Sequence, residues 1–96
     1  MNQNEIKSAF CEDYFTILDC SLFRLTLRSN NTNHEWHILE QEYNNKTFYS
    51  LYHRHKEKDQ FHYQGHGASL KEIADKIKGH DKYQMNKNGS DQVLLQ

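Results

Sequence analysis

The stretch SLFRLTLRS, residues 21–29, alternates without a break, with Phe23, Leu25 and Leu27 on one side and Arg24, Thr26 and Arg28 on the other. A period of two is the repeat of a β-strand with one wet face, so the chain has to build a sheet and cover one side of it. The neighbouring segments supply the other strands. SNNTN (29–33) reads as a turn, because asparagine tolerates positive φ and its side chain bonds nearby backbone. HEWHILEQE (34–42) then reads as a second strand. Asn44 and Asn45 turn the chain again, TFYSLYHRHK (47–56) follows as a third strand, and QFHYQ (60–64) as a short fourth.

Two helices flank these strands. In GASLKEIADKIKGH (67–80), Leu70, Ile73, Ala74 and Ile77 fall on one helical face, Ser69 and Glu72 form a capping box, and Gly79 is a stop signal. The pattern predicts a helix over 69–78. Near the start, Ile6, Phe10, Tyr14 and Ile17 fit a helical stripe with Asn2 or Asn4 as the cap, which predicts a helix from 4 to about 13. YFTIL (14–18) fits either a continuation of that helix or a strand. The expected fold is α+β in two layers: an N-terminal helix, a three- to four-stranded antiparallel sheet, and a C-terminal helix packed on one sheet face. Residues 1–81 make the single domain, and 82–96 a polar, flexible tail.

Composition narrows the function. The 96 residues suit one domain with a modest core, and a mean hydropathy of -1.06 is offset by an aromatic share of 12%. A formal net charge of -1 argues against a strongly basic nucleic-acid binder and against an acidic DNA mimic. The acidic first twenty residues lack the apolar run of a signal peptide, and no later segment is apolar enough to span a membrane, so a cytoplasmic protein is expected. Cys11 and Cys20 are read as small buried hydrophobes. No glycine-rich elbow, phosphate loop or convergent carboxylate pair marks an enzyme, and no cofactor is expected.

The stretch YHRHKEKDQFHYQGH (52–66) concentrates histidine, basic and aromatic residues. If its hairpin turns between Lys58 and Asp59, His55 pairs with His62 and His53 with Gln64. His53, His55 and His62 then share one face with Tyr49 and Leu51, opposite Phe48, Tyr52, Arg54, Phe61 and Tyr63. Three imidazoles there, with His34, His37 or His66 as a fourth, would be a zinc set, but no cysteine or orienting acid accompanies them and no metal site is expected. Aromatic rings on both faces mean that one aromatic face stays open, either as plain cover for the sheet edge or as a contact surface. Charge is also uneven: residues 46–58 carry Lys46, Arg54, Lys56 and Lys58 against Glu57. The candidate partner-binding residues are Tyr49, Tyr52, Arg54, Lys56, Lys58 and Tyr63, facing a larger protein of the kind that processes nucleic acid.

The succession of helix, antiparallel sheet and second helix, with GASLKEIA (67–74) at the helix entry, resembles the double-stranded-RNA-binding domain. Ser69, Lys71 and Ala74 match that family's entry, while Leu70 interrupts its adjacent lysine pair. The resemblance implies nucleic-acid binding through the basic hairpin as an alternative. The first expectation is a non-enzymatic protein-binding module. The asparagine- and lysine-rich, proline-free composition resembles that of small phage and mobile-element accessory proteins, stoichiometric inhibitors of host defence nucleases of the anti-CRISPR or anti-restriction type.

Overall fold

A computed structural model describes residues 1–95, and the side chains of residues 1–87. The chain runs α1 (Gln3–Ala9), β1 (Phe15–Cys20), β2 (Arg24–Ser29), β3 (Glu35–Tyr43), β4 (Lys46–Arg54), β5 (His62–Gly67) and α2 (Leu70–Leu95). The class is α+β as expected, but the sheet has five strands in the order β1-β2-β3-β4-β5, each antiparallel to its neighbour. The additional strand is the ambiguous segment. The helix begun under the Asn2 cap, whose Oδ1 accepts from Asn4 N and Glu5 N, ends at Ala9, well short of residue 13. Phe15 then leads the β-branched and aromatic run into the sheet, pairing with Ser29.

Asparagine shapes the turns as its conformational tolerance suggests. Asn33 has φ 62°, and Asn44 and Asn45 have φ 52° and 62°, two successive left-handed residues in a tight β3–β4 hairpin. The core combines Ile6 and Phe10 near α1, Leu70, Ile73, Ala74 and Ile77 of α2, and the alternating residues Leu25, Leu27, Trp36, Ile38, Tyr49 and Leu51 of the central strands. This settles the conflict between two aromatic faces: the one with Tyr49, Leu51 and His53 turns inward. The capping box also forms, Ser69 Oγ accepting from Glu72 N (3.2 Å) while Glu72 reaches back to Ala68 N (2.8 Å).

Three expectations are corrected. Gly79 does not stop α2, which continues helically to Leu95. The reason is tertiary: Asp81 is wholly buried and accepts hydrogen bonds from the Tyr14 hydroxyl (2.8 Å) and Thr32 Oγ1 (2.9 Å), which hold the next turn in helical register. The expected flexible tail reaches residues whose side chains lie outside the described part. The hairpin register also differs: β4 ends at Arg54, so His53 pairs with His62 and Tyr52 with Tyr63, next to an irregularity between Leu51 and Tyr52. Cys11 and Cys20 are exposed free thiols rather than buried hydrophobes, because the chain leaves α1 before Cys11, and Cys20 lies at the end of the edge strand β1. Among the described residues, no helix is long and apolar enough to cross a membrane.

Candidate functional site

The outward face of the sheet follows from the register. Positions paired across it are Arg28 with Glu35, Thr26 with His37, His37 with Tyr52, Glu35 with Arg54, and Tyr52 with Tyr63. The aromatic groups make a continuous patch. Tyr52 and Tyr63 meet edge to face at 5.8 Å, His37 lies 5.5 Å from Phe61, and the Arg54 guanidinium sits 4.2 Å above the Phe61 ring. Tyr63 is 57% exposed.

The six candidate residues separate on this frame. Tyr52, Arg54 and Tyr63 come together on the outer face, and Lys56 and Lys58 are exposed in the adjoining loop. Tyr49 does not join them: it is 6% exposed, belongs to the core, and points its hydroxyl at Glu40 (3.4 Å). Arg54 is committed internally, since one guanidinium nitrogen donates to Glu35 Oε1 at 2.9 Å and the other to the Asp59 carbonyl at 3.3 Å. Its exposed part is a fixed cationic plane. Lys46 sits at the far end of β4 from Lys56, so the basic run 46–58 is spread along a whole strand, roughly 25 Å at ~3.3 Å per residue.

On the opposite face, at the end where β4 and β5 pair, histidines collect. His34 enters from the turn before β3, His53 from β4 and His80 from α2, and one ring nitrogen of each lies within 4.8 Å of the others. His53 Nε2 and His34 Nδ1 share a hydrogen bond of 3.0 Å. His55 stacks on His34 at 4.3 Å, and His62 stands 5.2 Å from His53. His53 is 1% exposed and lies against Trp36, ring centroids 4.3 Å apart. Burial first, and the neighbouring His80 and His34 next, push its pKa down to about 3. Burial likewise lowers His34 and His80.

Sequence reasoning grouped His53, His55 and His62, and this group does form at one end of the sheet. It missed His80, because a helix ended at Gly79 leaves no reason to aim that ring at the sheet. The only local clue was spacing: His80 lies three residues beyond Ile77 of the apolar stripe, on the same helix face. His37 and His66 lie elsewhere, His37 bonded to Thr26 Oγ1 (2.9 Å) and His66 to the Tyr63 hydroxyl (3.0 Å). Compared with protein-family models, with curated proteins and with solved structures, the chain matches none.

Proposed function

We propose that the protein is a non-enzymatic, cytoplasmic binding module that occupies a surface of a larger protein, a host defence nuclease, as a stoichiometric inhibitor of the anti-CRISPR or anti-restriction type. The observation that carries the reading is the outer-face patch of Tyr52, Arg54, Phe61 and Tyr63, aromatic and cationic, on the side of the sheet away from the hydrophobic core. Interface energy concentrates in such Tyr and Arg side chains, which bury large rigid area at small entropic cost. The two-layer reading, with the C-terminal helix on the other sheet face, makes the patch a flat, preorganised platform.

The test is a plaquing assay in cells carrying a defined CRISPR effector or restriction nuclease. Expression of the chain should restore plaquing of a targeted phage, and Tyr63→Ala should reduce that protection while leaving the melting temperature within a degree or two of the parent. Tyr63 is the residue to change, because removing Arg54 would strand the Glu35 carboxylate and confuse binding with stability. No protection across a panel of both nuclease types would sink the reading.

A further inference from the structure

We propose that His34, His53 and His80 form a zinc-binding site that ties α2 to β4 and to the turn before β3. The three residues come from three separate elements, and their donor nitrogens lie within 4.8 Å of one another. Tetrahedral zinc with Zn–N bonds of 2.0–2.1 Å sets neighbouring nitrogens about 3.3 Å apart. The His34–His53 pair, at 3.0 Å, is already close to that edge. Drawing in the third nitrogen takes a shift of at most about 1.5 Å, within the reach of imidazole rotation.

Two further observations distinguish this cluster from a chance grouping. His80 Nδ1 is buried and has no hydrogen-bond partner. Such an atom ordinarily costs free energy, and a metal ion would satisfy it. The backbone around the cluster is also fixed from outside. Asp81, next to His80, accepts from Thr32 Oγ1, and Thr32 Oγ1 in turn accepts from the His34 backbone N–H (3.2 Å). One buried carboxylate therefore ties the helix turn carrying His80 to the turn carrying His34 through their backbones.

The chemistry of the donor set selects the ion. Among the described residues the group is all imidazole, without thiolate or carboxylate, which suits zinc and other first-row divalent ions and does not suit calcium or magnesium. His55 stacks on His34 outside the donor group, so the fourth position of a tetrahedral ion would fall to solvent.

The test uses the full chain without a histidine tag, stripped with chelator and titrated with zinc(II) by calorimetry beside thermal melts. About one zinc should bind per chain, and the melting temperature should rise by several degrees at saturation. His80→Ala should weaken binding by more than the ~10–100-fold typical of outer-shell losses and abolish the zinc-dependent rise in melting temperature. His34→Ala serves the same purpose should His80→Ala fail to fold without metal. His37→Ala and His66→Ala, whose rings lie outside the cluster, should bind zinc as the parent does. The proposal is overturned if the parent takes up no zinc at millimolar concentration, if the His80 and His34 variants bind as tightly as the parent, or if the His37 and His66 variants lose as much as they do. Because the zinc readout is independent of plaquing, it stands or falls apart from the inhibitor reading.

Discussion

His53 shows how one residue sets a condition on the whole fold. Its imidazole is buried against Trp36 with its pKa pushed down to about 3, whereas in the unfolded chain it titrates near ~6.5. Below ~6.5 the unfolded state therefore binds a proton that the folded state refuses, so stability is full above that pH and falls as pH drops toward 3. The loss from His53 alone is about 1.4 kcal/mol per pH unit, or about 2 kcal/mol between pH 6.5 and 5, above the range where most carboxylates begin to titrate. His34 and His80, also lowered, add to the loss in the same direction. Urea unfolding of chelator-treated protein at pH 7.5, 6.0 and 5.0 should show a midpoint that falls at each step. Equal midpoints at all three pH values would show that His53 is charged, or solvated, in the folded state. Trp36, two residues before Ile38 in β3, is wholly buried, and its indole N–H is satisfied by Ser29 Oγ at 3.0 Å. The fate of His53 was not legible, since the alternation of its strand puts it with Tyr49 and Leu51 without saying which face the core would take.

At the scale of elements, the parts read well from sequence were those fixed by local chemistry. The strict alternation of β2, the left-handed Asn44-Asn45 turn and the Ser69–Glu72 capping box each rest on interactions within a few residues. The parts misread depend on distant partners. The stop at Gly79 was overridden by the bonds of Asp81 to Tyr14 and Thr32, neither of which is near it in sequence. The first helix is shorter than its period suggests, because Tyr14 and Ile17 continue that period by coincidence: Tyr14 belongs to the Asp81 network and Ile17 to β1. Gly79 inside a continuous helix yields a prediction. A Cβ built there meets nothing within 4 Å, and its φ is not positive, so alanine enters without strain. Gly79→Ala should raise stability by about 0.8–1 kcal/mol, the helix-interior difference between the two residues, visible as a later urea midpoint with unchanged slope. A destabilised Gly79→Ala would mean that the helix bends or ends there after all. Gly67 is the contrasting case: its Cβ would come within 3.1 Å of Ile73 Cδ1, so the same change at that position crowds the core.

For the whole molecule, the distribution of charge sets what a salt titration with nucleic acid should show. The sequence run 46–58 looks like a basic patch, but folding places Lys46 and Lys56 at opposite ends of β4. The outer face pairs Arg28 and Arg54 with Glu35, and Arg24 lies across the sheet near Asp19, which pairs with Thr26. On α2, Lys71, Lys78 and Lys82 share a stripe, interrupted by Asp75. A duplex held by the three lysines of this stripe would have about three phosphates neutralised, each contributing a slope of about -0.9 to the logarithmic salt dependence. Any affinity for duplex RNA should therefore be weak at physiological salt and fall by no more than ~40-fold between 50 and 200 mM salt, where a binder with six to ten phosphate contacts loses ~10³–10⁵. The measurement is fluorescence anisotropy with a labelled duplex across that range. Submicromolar binding at 150 mM salt, with a slope steeper than about -5, would give the double-stranded-RNA reading precedence over the protein-binding one and direct attention to the lysine stripe of α2. Weak, shallow binding leaves the aromatic platform around Tyr63 as the surface on which a protein partner has to be sought, because rigid aromatic area, unlike point charge, retains its binding energy as salt rises.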